Sequence, residues 1–362
     1  MSAYDIDPGA AAAVAAFKLP ERLGFGKINA PVMFSAEWRD GAWQRGRLLP
    51  YGPIELWPGS RALQYAELVF EGLKAYRVGQ SRPNLFRPDA NCRRMMRSAE
   101  RLSMPAVHEE LFFQGIIAVT HACSDIMPMQ SGRSLYLRPF LFGTESSYML
   151  RNSNTFRFMV IANPVESYAS SAMKVVIERA DVRAAPGGIG EAKAAANYAA
   201  SLRASNAAVT SGRTVALWLD GHEHRYLQEL SGMNVFAVLD GELHTPELDG
   251  AILPGVTRDS LLTLARSLGY RTHERRMALD EILEGIGSGR CSELFACGTA
   301  AIVGPIALLS ESDGREYVLR QSDVVARHLR EALLSIQERR APDPFGWTRD
   351  LTPTPPGDTL KS

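Results

Sequence analysis

Only six lysines occur among the 362 residues, at positions 18, 27, 74, 174, 193 and 361, so chemistry that needs an amine nucleophile has few candidates. Lys193 stands out by its setting. The run Ala184-Ala185-Pro186-Gly187-Gly188-Ile189-Gly190-Glu191-Ala192-Lys193-Ala194-Ala195-Ala196-Asn197-Tyr198 delivers it from a glycine-rich loop to an alanine-rich helix. Small neutral neighbours desolvate an ammonium group and favour the free amine, the form that makes a Schiff base. Glu229 precedes the small-residue turn Ser231-Gly232 and an apolar strand, a place that suits a carboxylate under a cofactor ring. The turn Pro254-Gly255 runs into Val256-Thr257-Arg258-Asp259, and the N–H groups and dipole of such a helix start favour a phosphate. Gly298-Thr299-Ala300-Ala301 is a tight turn that offers N–H groups and a hydroxyl to an anion. In an alternating strand, Tyr136 and Arg138 share one face and can take a carboxylate together. Arg94 falls one turn into a helix that Asp89 opens. Each residue has an ordinary reading when taken singly: Lys193 as a lysine lying along apolar surface, Glu229 as a solvated strand end, Thr257 as a helix cap, Arg94 as a solvated neighbour of Arg93.

These residues need elements to carry them. Strands are expected between Phe25 and Trp57, over 70–77, 134–143 and 156–164, and a helix from Asp89 to before Pro105. The segment 164–173, short and rich in Ser and Ala, is the expected linker. Beyond it, strands are expected over 174–177, 214–220, 234–239 and 300–309, and helices over 194–211, 257–268 and 322–338. Residues 1–20 read as a loose arm, and the tail from Ala341 as irregular. The domain expectation is 1–163, a linker at 164–173, and 174–362. The mixed order favours α+β with antiparallel-rich sheets over a doubly wound parallel sheet.

Composition narrows the function. Lys+Arg and Asp+Glu both total 40, so the net charge is zero, which argues against nucleic acid and against an anionic membrane as partners. No apolar run is long enough to span a bilayer, and Asp5 and Asp7 spoil the N-terminus as a signal peptide, so a cytoplasmic protein is expected. The four cysteines show no metal-like spacing, and no metal site is expected. Net neutrality also favours an oligomer that hides surface.

The stretches 70–77, 86–102, 135–139, 183–202, 229–236, 245–260 and 293–305 resemble, collinearly, the branched-chain amino acid aminotransferases of the fold type IV pyridoxal-phosphate enzymes. The resemblance implies an α+β, two-domain, D-amino acid aminotransferase-like architecture, with a small N-terminal α/β domain and a larger C-terminal pseudo-barrel domain. It implies pyridoxal 5'-phosphate as cofactor, amino and 2-oxo acids as substrates, and a homodimer. By the same likeness Lys193 matches the Schiff-base lysine, Tyr198 the partner of the cofactor's phenolic oxygen, and Glu229 the carboxylate facing the ring nitrogen. Arg94, Val256, Thr257 and Thr299 match phosphate-binding positions. Thr299 and Ala300 match the turn serving the substrate α-carboxylate. Tyr65, Phe70, Tyr136 and Arg138 match positions around the substrate, with Phe25 and Tyr168 as further pocket residues and Tyr65 expected to reach a partner subunit's site. The implied reaction moves an amino group between Leu, Ile or Val and 2-oxoglutarate by ping-pong chemistry; the alternative is a related transaminase or lyase for another amino acid. Departures from the family pattern fall at Ala195-Ala196, at a short 168–175 linker and at Met149, and bear on substrate identity. A Cys-x-x-Cys found in some members is replaced here by Ala301-Ile302-Val303-Gly304.

Overall fold

The strands of the described residues fall into two sheets. The computed structural model describes residues 4–80, 82–166, 172–319 and 323–351. The chain divides into a first unit, 1–167 with 336–362, and a second, 168–335.

The first unit is built on a ten-stranded sheet. Its centre is the long antiparallel pair Ser134–Gly143 and Phe156–Val165, which stay in register from Ser134↔Val165 to Gly143↔Phe156. Val32–Arg39 continues the sheet on one side and Leu73–Tyr76 on the other. Among the described residues the strands of this sheet pair antiparallel, except Asp5–Ile6 with Arg47–Pro50. The helices Pro88–Arg101 and Glu109–Ala122 cover it, burying Met95 and Ala99 on one and Phe112, Ile116 and Val119 on the other. Asp89 does not open the first of these helices. Arg87 caps it in a left-handed conformation, Pro88 takes the first turn, where its missing N–H costs nothing, and Asp89 follows. The expected loose arm contains a helix, Pro8–Ala16, because the Asp7 side chain accepts from the Gly9 N–H at 2.9 Å and Pro8 is pre-set for the first turn.

The C-terminal end departs from the expected domain boundary. Thr348–Asp350 forms a strand antiparallel to Asn84–Phe86, so the tail returns to the first unit rather than ending in the second. The expected linker is shorter than its assigned range too: Pro164 and Val165 close a strand, Met173 opens the next, and 167–171 lie outside the described residues.

The second unit has a nine-stranded sheet with mixed pairing. Its order runs Leu227–Leu230, Val215–Leu219, Met173–Glu178, Ile302–Ser310, Cys291–Gly298, Asn234–Leu239, Glu242–Pro246 and Thr272–Arg275, with Glu316–Val318 paired outside this path. The first and sixth strands of that order are joined by Ser231, Gly232 and Met233 alone. Flat strands spaced ~4.8 Å apart would separate them by roughly 24 Å, which that link, at ~3.5 Å per residue, does not span. The sheet therefore curls on itself, around a core that includes Val175, Ile177, Leu217, Leu219, Val235, Ala237, Leu294 and Ala296. This is the curved, mixed α+β architecture expected.

Candidate active site

In the second unit the loop ahead of Lys193 is held by a side chain that sequence reasoning overlooked. Asn197 Nδ2 donates to the carbonyls of Ile189 and Ala192, each at 2.8 Å, and so clamps the glycine-rich loop onto the first helical turn. Ala192 and Ala194 are buried on either side of Lys193. The Lys193 amine sits 2.8 Å from the Tyr198 hydroxyl. The expected single helix is two, Ala195–Ala200 and Leu202–Thr210, because the Ser201 hydroxyl donates to the Tyr198 carbonyl and competes with the helical ladder.

Glu229 is 3% exposed, on the buried strand Leu227–Leu230. Oε2 accepts from the Leu253 N–H at 3.0 Å and from Asn234 Nδ2 at 3.3 Å, while Oε1 lies 3.2 Å from Arg183 Nε. A buried carboxylate so partnered is stable as an anion. Arg183, itself buried, was missed; the one signal for it was its place at the head of the 183–202 stretch. The turn that leads into this strand is pre-set by Asp220. Burial raises the Asp220 pKa, but backbone N–H groups of Glu223, Tyr226, Arg225 and His222 outweigh that and hold it down to about 2.

Lys193, Tyr198, Glu229, Arg183, Gly232 and Leu253 line one cleft. Nearby in sequence, the helix Val256–Ser267 is capped by Gly255, not by Thr257, and no side chain caps it. Thr257 is the second helical residue and is buried. Thr299 and Ala300 fall in the turn between Cys291–Gly298 and Ile302–Ser310, and that turn places Ile302, a β-branched residue, at φ 63°. Such a conformation is costly for isoleucine and holds only where packing enforces it.

In the first unit, Phe25, Phe70, Tyr136 and Arg138 come together. The Arg138 guanidinium lies over the Phe70 ring at 4.6 Å, Arg138 Nη2 donates to the Tyr136 hydroxyl at 3.0 Å, and Phe25 meets Tyr136 edge-on at 5.1 Å. Arg138 Nε is buried without a hydrogen-bond partner. Gly72 makes this arrangement possible, since a Cβ there would sit 2.1 Å from the Tyr136 hydroxyl oxygen. Gly72→Ala is therefore expected to displace the Tyr136 ring and lower kcat/KM about 10- to 100-fold while the protein stays folded. Steady-state kinetics beside a thermal melt check this, and unchanged kinetics would show that Tyr136 has no part in the reaction.

Tyr65 makes other contacts: Arg61 lies over its ring at 5.1 Å and its hydroxyl donates to the Tyr148 carbonyl at 2.9 Å. Arg94 is buried and donates from Nε and Nη2 to Glu71, at 2.7 and 2.8 Å. Glu71 also accepts from Asn91 and from the Gly72 N–H, so the guanidinium is held in one orientation. Tyr168 lies outside the described residues.

Among the described residues, Glu242, His244 and His273 could supply ligand atoms within 4.8 Å of one another. Four of their polar atoms make other contacts: Arg275 donates to His244 Nδ1, Arg271 to Glu242 Oε1, and His273 Nε2 contacts Glu242 Oε2 at 2.7 Å. Two guanidinium groups at this cluster oppose a further cation. The four cysteines are free and buried, and burial pushes Cys123 and Cys291 up to about 12.

The second-unit cleft presents an amine, a phenol and an anionic carboxylate, with a helix start lacking a side-chain cap close in sequence. The chain matches the model of amino-transferase class IV over residues 68–309. It is 40% identical over 339 residues to branched-chain-amino-acid transaminase 1 of Bacillus subtilis, spanning 92% of this chain and 95% of that one. Among solved structures, the T.th. branched-chain amino acid aminotransferase complexed with N-(5'-phosphopyridoxyl)-L-glutamate superposes with a TM-score of 0.71 at 29% identity, covering 88% of this chain and 98% of that one. The branched-chain amino acid aminotransferase of Escherichia coli is similar at a TM-score of 0.69 and 26% identity, covering 88% of this chain and 99% of that one. The chain belongs to the class IV amino-transferase family.

Proposed function

We propose that this protein is a pyridoxal-phosphate-dependent transaminase that exchanges the amino group of leucine, isoleucine or valine with 2-oxoglutarate. The observation that carries this is the Lys193–Tyr198 pair in one cleft with the Arg183-backed Glu229. Those groups match the cofactor's carbonyl, phenolic oxygen and ring nitrogen in turn. When bound, the cofactor supplies a ring that accepts the electron pair left as the substrate Cα–H bond breaks.

The chain's own residues do the rest. Glu229, paired with Arg183 and accepting from the Leu253 N–H, would hold a proton on the ring nitrogen. Lys193 Nζ, 2.8 Å from the Tyr198 hydroxyl, would take the proton from the substrate Cα and would be the donor that delivers it to the cofactor carbon on the far side of the amino nitrogen. The start of Val256–Ser267 at Val256 and Thr257, with Thr299, would hold the phosphate, and the family likeness gives Arg94, fixed by Glu71, the same role. Phe25 and Phe70 would supply apolar surface for a branched side chain. Arg138 with Tyr136 receives the side-chain carboxylate of glutamate, so two unlike substrates use one apolar pocket with a polar exit.

Finer readings complete the proposal. A homodimer is supported by the exposed Tyr148, Met149 and Leu150, consecutive apolar side chains on the first unit. A cytoplasmic setting is supported by four free, buried cysteines. Among the described residues no helix is long and apolar enough to cross a membrane.

A panel tests the function: L-Leu, L-Ile, L-Val, D-Ala and an aminated chorismate, each with 2-oxoglutarate, following keto-acid release. The proposal expects the three branched L-amino acids to lead. Turnover of D-Ala or of the chorismate derivative in their place would move the protein to another branch of the fold.

A further inference from the structure

We propose that Asn234 is a positioning residue that ties the Glu229 carboxylate to the turn at Leu253, Pro254 and Gly255, so that the ring-nitrogen end and the phosphate end of the cofactor cradle are set as one piece. This rests on the transaminase reading above.

Asn234 is the first residue of strand Asn234–Leu239 and is 6% exposed. Its amide nitrogen donates to Glu229 Oε2 at 3.3 Å and to the Leu253 carbonyl at 3.0 Å. Glu229 Oε2 in turn accepts from the Leu253 N–H at 3.0 Å. Both polar groups of the Leu253 backbone are thus tied into one closed triangle with Asn234 and Glu229. The amide has a single workable orientation, because turning it over would set Oδ1 against two acceptors. Gly255 completes the seat. A Cβ at that position would lie 2.1 Å from Asn234 Oδ1, so the backbone that caps helix Val256–Ser267 rests directly on the amide. In a buried site such polar links are directional and costly to leave unmade. A shift of the Glu229 carboxylate must therefore displace the turn that starts the phosphate helix, and the reverse.

The test uses apoprotein titrated with pyridoxal 5'-phosphate, with binding followed by the cofactor's absorbance, for the wild type, Asn234→Ala, Glu229→Gln and the double variant. Each single change is expected to weaken binding about tenfold, and the double to be weaker than the worse single by no more than about threefold, since both break one network. Asn234→Asp places a second carboxylate beside Glu229 and is expected to move the acid limb of the pH–rate profile upward by about one unit. A merely structural role would lower the melting temperature of the apoprotein without that pH shift. Should Asn234→Ala fail to fold, Asn234→Ser carries the same cycle. Multiplying single effects, about 100-fold in the double variant, would overturn the coupling. Wild-type protein that binds no pyridoxal phosphate would overturn the transaminase reading itself, and the present inference with it.

Discussion

Lys193→Ala is expected to reduce transamination at least about a thousandfold, the scale of losing a positioned proton-transfer group together with a covalent anchor. Lys193 is one of six lysines, and it stands beside a phenol in a cleft with a buried carboxylate. The Asn197 clamp fixes the backbone on its N-terminal side, so the alanine variant should keep its fold and its melting temperature. Borohydride treatment followed by peptide mass spectrometry should attach the cofactor to the Lys193 peptide of the wild type and to nothing in the variant. Added methylamine should restore part of the rate, since a small amine can enter the space left and move the same proton. Lys193→Arg should be equally inactive, because a guanidinium stays protonated and neither attacks a carbonyl nor takes a proton. A Lys193→Ala protein within about tenfold of wild-type activity would end the assignment.

Arg138→Gln is expected to split the two half-reactions. Its charge stands over Phe70 and against the Tyr136 hydroxyl, and the charged fork can meet an incoming carboxylate. Losing a charge-assisted bond of this kind should lower kcat/KM for 2-oxoglutarate and glutamate about 100-fold. The leucine half-reaction should change by less than about threefold, because an apolar side chain makes no use of that charge. Arg138→Lys should fall between, keeping the charge and losing the fork. Single-turnover measurements with each substrate separate the cases. An equal fall for leucine and glutamate would instead assign Arg138 to the α-carboxylate that both substrates share.

Much of the candidate site was legible in the sequence because its parts are local. Lys193 and Tyr198 are separated by about one helical turn, so a loop-to-helix junction suffices to bring amine and phenol to 2.8 Å. Tyr136 and Arg138 are two apart on a strand and so share a face. The helix after Pro254-Gly255 was legible as well, although its cap proved to be glycine. Other features were not. The alanines of Pro8–Ala16 carry no polar alternation to mark a helix, and the mark was Asp7 just before them. The tail beyond Ala341 looked irregular because a strand as short as Thr348–Asp350 has no pattern of its own and exists through its pairing with Asn84–Phe86.

What the sequence alone determined is therefore the chemical inventory and its short-range geometry: an amine before an alanine helix, a carboxylate before a turn, a glycine ahead of a helix, an arginine two from a tyrosine. Tertiary structure decided which groups stand behind them. Arg183 meets Glu229, and Asn234 closes on Leu253, within a unit whose sheet curls so that its first and sixth strands are neighbours. Tyr136 stands where it does because Gly72 leaves room for its hydroxyl, and Ile302 holds a left-handed backbone that its own preference opposes. These are long-range or packing-enforced relations. Local propensity says nothing of the first kind and predicts against the second, because the energy that sets them is released only when the strands have paired and the core has closed.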